Sequence, residues 1–103
     1  MKIEENYRIH NSLQIHSVSD YGVTVNNLSE LQTLHDFIES KKIDYFILGE
    51  GTNIIPPDRY KGLVVSLNFK SIERKSDLIR VGSSVNWNDL VQYAVMNDIY
   101  GFE

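Results

Sequence analysis

Apolar positions change their spacing several times along the chain, and each change marks a different element. Gly22-Val23-Thr24-Val25-Asn26 is short and β-branched, which predicts a strand. Asn27-Leu28-Ser29-Glu30 follows, with Asn three residues before Glu as in a capping box; Ser29 and Gln32 offer a second register. Leu28, Leu31, Leu34 and Ile38 then recur at helical spacing, Phe37 widens the stripe, and Lys41 and Lys42 close the last turn, where cations suit the helix dipole. Tyr45-Phe46-Ile47-Leu48 is a continuous apolar run, too short for a helix, and predicts a strand buried on both faces. Strand, helix and strand form a βαβ unit over about residues 21–55, with parallel strands and a right-handed crossover. Residues 1–20 are polar and weakly patterned, and read as an irregular N-terminal arm with at most a short strand.

Beyond Leu48 the pattern breaks. Residues 49–62 hold three glycines and both prolines, so they predict a long loop. Leu63-Val64-Val65-Ser66-Leu67 predicts a further strand, and residues 71–84 a hairpin turning at Ser76-Asp77. Asn86 is a good N-cap for a second helix, whose buried stripe is read as Trp87, Leu90, Val91, Ala94 and Val95, with Asn97-Asp98 as left-handed stop residues. The fold class is α/β (α+β): a βαβ unit, then a mostly antiparallel β segment and a helix, the β-rich part running over about residues 62–103.

The 103 residues suffice for one small domain, and an apolar fraction of 42% is that of an ordinary globular chain. A formal net charge of −4, with lysines and arginines scattered, argues against a nucleic-acid partner. The absence of cysteine removes disulfides, thiolate nucleophiles and Cys-ligated metal centres, and fits a cytoplasmic location. Met1-Lys2-Ile3-Glu4-Glu5 has no apolar run, so no signal peptide is read there, and no stretch approaches the roughly 20 apolar residues of a membrane span.

The strongest local feature for chemistry is Gly49-Glu50-Gly51-Thr52-Asn53, directly after the apolar run. Glycines there expose successive backbone N–H groups, and in open α/β sheets ligands bind beyond the carboxyl ends of strands, so the loop suits a phosphate or diphosphate. Thr52 adds a hydroxyl and Asn53 an amide donor. The loop matches neither a dinucleotide fingerprint nor a P-loop, because Ile54-Ile55-Pro56-Pro57 follows in place of a helix start. By itself it fits a strand-ending turn as well as an anion site. His10, His16 and His35 have no metal-ligand spacing, and no nucleophile–base pair stands out.

Taken in order, several segments resemble the N-terminal, FAD-binding region of the UDP-N-acetylenolpyruvoylglucosamine reductase (UDP-N-acetylmuramate dehydrogenase) family. They are Asn11-Ser12-Leu13, Leu48-Gly49-Glu50-Gly51-Thr52-Asn53, Asp58 with Gly62-Leu63-Val64, Val81-Gly82 with Trp87 and Leu90-Val91-Gln92-Tyr93, and Gly101-Phe102-Glu103. The resemblance implies a partial PCMH-type FAD-binding domain over residues 21–103. Its cofactor contacts are Gly49, Glu50, Gly51, Thr52, Asn53, Ile54 and Gly82. It also implies an FAD-dependent oxidoreductase of peptidoglycan synthesis in cell-wall biogenesis, with NADPH as reductant and a UDP-sugar as substrate in the longer enzyme. Pro56-Pro57 and Ser84 depart from the family's pattern. The family's catalytic residues lie beyond the matching stretch, so no catalytic residue and no metal ligand is assigned. The chain is expected to be an inactive part of that reductase. The alternatives are a stand-alone nucleotide-binding or protein-interaction module, with self-association as one outcome, and a related FAD oxidoreductase with another substrate.

Overall fold

The computed structural model describes residues 1–51, 54–99 and 101. They divide into two compact units, Met1–Asn68 and Phe69–Glu103.

The first unit contains β1 (Glu4–Arg8), β2 (Val18–Val25), α1 (Leu28–Lys41), β3 (Tyr45–Leu48) and β4 (Arg59–Leu67). Its sheet has the order β1-β2-β4-β3, with β1 antiparallel to β2, and β4 parallel to both β2 and β3. The βαβ unit is therefore present, but β4 lies between its two strands. This corrects the expectation that Tyr45–Leu48 is buried on both faces. Tyr45, Phe46 and Ile47 are 54%, 45% and 55% exposed, whereas Leu63, Val64 and Val65 of β4 are at most 2% exposed. A continuous apolar run marks a strand without saying whether it is central. The aliphatic β4 takes the centre, and the run with two large aromatics takes the edge.

The N-terminal arm is more ordered than its polarity implied. Residues 4–8 form the other edge strand, and β2 begins at Val18, ahead of the expected Gly22. The arm's start is held by a cross-strand set: the Arg59 guanidinium lies 2.7 Å from the Asp20 carboxylate and donates to the Asn6 side chain at 2.8 Å. That set also explains why β4 starts at Arg59, inside the expected loop. Partners spread over β1, β2 and β4 leave no local periodic signal. One extra residue of β4 between Tyr60 and Leu63 makes a bulge, and the buried Ser19 hydroxyl donates across it to the Gly62 carbonyl at 2.9 Å.

Helix α1 is capped as its sequence indicates. Asn27 accepts from the Glu30 N–H at 2.9 Å, and the Glu30 carboxylate accepts from the Asn26 N–H at 2.8 Å. That backbone hydrogen bond, helped by the N-terminal ammonium, holds the Glu30 carboxyl below the usual range. Lys42 ends the helix in the left-handed region, φ 50°, its N–H bonded to the Ile38 carbonyl. Only Leu34 of the predicted stripe is fully buried, and Leu28 is exposed.

The second unit contains the hairpin β5 (Ile72–Lys75) and β6 (Leu78–Val81), antiparallel, with Ser76 left-handed at its turn, and α2 (Trp87–Met96). Asn86 caps α2 by accepting from the Asn88 N–H at 2.7 Å, and Asp98 takes the left-handed conformation after it. The buried stripe is narrower than expected. Leu90 and Ala94 are buried, while Trp87 and Val95 are 63% and 70% exposed. The boundary between the units also falls later than the expected 55–62, because β4 completes the first sheet.

Candidate functional site

Two loops shape the site. The first, residues 9–17, joins β1 to β2 and is closed by the Ile9 N–H donating to the Ser17 carbonyl at 2.9 Å. The second, residues 49–58, leaves the carboxyl end of β3 and returns to the start of β4, with no helix among its described residues. A parallel connection must run back along the sheet, and Ile54 marks that path by packing on the buried cluster of Ile9, Leu48 and Val64. The end of the return is fixed on β2. The Ser17 hydroxyl donates to the Pro57 carbonyl, and the Val18 N–H to the Asp58 carbonyl.

The two loop glycines do different things. Gly49 is exposed, and a Cβ built on it meets no atom within 4 Å, so its backbone borders open space. Gly51 is buried with φ +75°, and a Cβ there would lie 2.5 Å from the His10 carbonyl oxygen. Its own carbonyl accepts from the Ser12 N–H at 2.9 Å. The conformation and the contact both demand glycine. The 10–12 segment is in turn organised by Asn11. The Asn11 carboxamide accepts from the Ile15 N–H at 3.0 Å and donates to the carbonyls of Ile15 at 2.9 Å and Ile9 at 3.2 Å.

Beside the loop lies a mostly apolar concavity of about 360 Å³, lined by Ile9, Phe46, Ile54, Pro56, Tyr60 and Val64 among others. Burial, and secondarily the charge of Asp44, raises the Tyr60 phenol above the ordinary tyrosine value. Among the described residues no group of His, Asp and Glu has the arrangement of a metal site.

Of the residues expected to contact a cofactor, Gly49, Glu50, Gly51 and Ile54 are brought together in the first unit. Thr52 and Asn53 lie outside the described residues. Gly82 belongs to the second unit, where its N–H donates to the Ser71 carbonyl at 2.8 Å and its Cα packs on the Phe69 backbone. Ser84 serves the same crossing, its hydroxyl accepting from the Phe69 N–H at 3.0 Å. In the sequence Asn11-Ser12-Leu13 is a landmark of the family resemblance with no role attached. Its contact with Gly51 spans 39 positions and has no local signal.

A family profile described as an FAD binding domain matches residues 19–103. The chain belongs to this family. FAD is the family's cofactor. Open space at Gly49 leaves the backbone there accessible, while Gly51 is backed by the 10–12 segment. The domain is also similar to proteins named UDP-N-acetylenolpyruvoylglucosamine reductase. One, from Buchnera aphidicola subsp. Schizaphis graminum, is 29% identical over 90% of this chain and 28% of its own length. Another, from Bdellovibrio bacteriovorus, is 31% identical over 90% of this chain and 29% of its own length. A third, from Porphyromonas gingivalis, is 38% identical over 54% of this chain. The domain thus spans less than a third of the length of these relatives. No helix among the described residues is long and apolar enough to cross a membrane.

Proposed function

We propose that this domain binds the diphosphate of FAD in a reductase of peptidoglycan-precursor synthesis, through the loop Gly49, Glu50, Gly51, Thr52, Asn53 and Ile54, and that Gly82 is a separate cofactor contact. The observation that carries the reading is the pairing of an open Gly49 with a buried, left-handed Gly51 at the carboxyl end of β3. Backbone N–H groups hold the phosphate oxygens, because the Glu50 carboxylate repels them. Bound FAD supplies hydride transfer, and the protein's part is to bind and orient it. NADPH as reductant and a UDP-linked enolpyruvyl sugar as substrate belong to the longer protein, and this chain by itself does not turn over. The cytoplasm, where NADPH and nucleotide-linked precursors occur, is the compartment that follows.

Titration of the purified chain with ADP and with FAD, followed by melting temperature and flavin fluorescence, tests this. A ligand that binds only the folded state raises the melting temperature. ADP is expected to do so, and FAD to bind weakly because this chain holds only part of the site. Gly49→Val should keep the unliganded melting temperature, since its side chain enters open space, and abolish the ADP-dependent rise. Equal ADP affinity in that variant removes the loop as the site. Tight stoichiometric retention of FAD by the chain contradicts the partial site.

A second reading, a self-associating module, has one observation in its favour. The β3 edge exposes Tyr45, Phe46 and Ile47 and carries neither charge nor proline within the strand.

A further inference from the structure

We propose that Asn11 is the positioning residue of the diphosphate loop: its carboxamide folds residues 9–15 into the wall that holds Gly51 in its left-handed conformation. The inference rests on the assignment of the glycine loop as the diphosphate site and says what keeps that loop in shape.

Asn11 engages Ile15 at both backbone groups, accepting from its N–H at 3.0 Å and donating to its carbonyl at 2.9 Å, and donates again to the Ile9 carbonyl. The side chain therefore acts as a short strand partner for Ile15. A carboxamide alone among the short side chains supplies a donor and an acceptor side by side. The bend it closes includes Gln14 in the left-handed region, φ 56°, with the Gln14 N–H on the Asn11 carbonyl at 3.1 Å. Such a bend needs side-chain hydrogen bonds to persist in a segment with few apolar anchors, since Leu13 is exposed.

The outer face of that bend is the surface Gly51 packs on. His10 O and Asn11 Cα lie 2.5 and 3.0 Å from where a Gly51 Cβ would be, and the Ser12 N–H holds the Gly51 carbonyl at 2.9 Å. A peptide unit is planar, so a fixed carbonyl fixes the orientation of its whole unit. Glycine is otherwise free to sample both signs of φ, and that freedom weakens any site needing one conformation. If only a fraction of molecules holds the competent loop, the apparent dissociation constant rises by the inverse of that fraction. Asn11 thus acts on the ligand through Gly51, without touching it.

The test compares wild type, Asn11→Ala, Asn11→Asp and Asn27→Ala for ADP affinity, melting temperature, and amide exchange and chemical shifts by NMR. Asn27→Ala loses the α1 cap and serves as a variant destabilised elsewhere. Asn11→Ala is expected to weaken ADP binding by about tenfold, the effect of a loop competent in roughly one molecule in ten. It should also shift the Gly51 amide resonance and expose the Ser12 N–H to exchange. Asn11→Asp keeps the acceptor for Ile15 but sets a carboxylate oxygen against the Ile15 and Ile9 carbonyls, so it is expected to weaken ADP binding at least as much as Asn11→Ala. Asn27→Ala lowers the melting temperature and leaves ADP affinity within about twofold. Equal ADP affinity in wild type and both Asn11 variants overturns the proposal, as does an affinity loss in Asn27→Ala as large as in Asn11→Ala. Should wild type not bind ADP, the diphosphate assignment falls. The spectra then decide the positioning claim alone, and Gly51 and Ser12 signals unchanged in Asn11→Asp overturn it. The same spectra of Asn11→Asp decide the case in which Asn11→Ala does not fold.

Discussion

Gly49 and Gly51 stand two positions apart and answer to different constraints. A side chain at Gly51 meets the backbone of residues 10–11 from a conformation that costs an ordinary residue about 1–2 kcal/mol, so Gly51→Val disturbs the fold along with any binding. Gly49 has room, which makes it the cleaner probe. Sequence pattern ranks these glycines equally; only the neighbouring turn separates them. Tyr60 makes a second residue-scale case. Its pKa is raised by burial, then by Asp44, so the fold favours the neutral phenol. The corresponding stability is fully present below the unfolded tyrosine value of about 10 and is lost as pH rises through the higher folded value. Melting temperatures measured from neutral pH upward should fall above about pH 10 more steeply in wild type than in Tyr60→Phe. Parallel curves for the two would show that Tyr60 makes no such contribution.

The capped ends of the helices are the most legible elements. Asn27 and Asn86 accept from N–H groups of their first turns, as the sequence signatures state, because capping involves only neighbours along the chain. Asn27→Ala is expected to cost about 1 kcal/mol, a fall in melting temperature of roughly 4–8 °C for a domain near this size. A thermal melt checks it, and an unchanged midpoint would mean the cap is not limiting. The hairpin at Ser76-Asp77 was equally legible, since its turn and both strands are contiguous. The strands of the sheet were legible in existence but not in place. Tyr45–Leu48 is wholly apolar and Leu63–Leu67 is interrupted by Ser66, yet the first is an edge and the second lies inside the sheet. The early starts of β2 and β4 follow from pairing with each other and from Arg59 bridging to Asp20 and Asn6, contacts 39 and 53 positions apart.

At the scale of the whole molecule, the two edges of the first sheet contrast. β1 carries Glu4, Glu5 and Arg8 and a left-handed Asn6, the features that discourage further strand pairing. β3 carries none of them, and among the described strands nothing pairs with its outer side. If the chain self-associates, light scattering at rising concentration should give a mass above 11.9 kDa, and Ile47→Lys should restore the monomer. A wild-type chain that stays monomeric throughout ends the self-association reading. The sequence by itself determined the elements beyond the N-terminal arm, both helix caps, the glycine loop and, through the order of its landmarks, the FAD-binding family, because these are local patterns or linear arrangements of them. Only the tertiary structure decided that β4 lies inside the sheet between β2 and β3, that the polar arm supplies an edge strand, and that the Asn11 turn backs Gly51. Those depend on contacts between distant segments, whose energy is gained only once the sheet has brought them together.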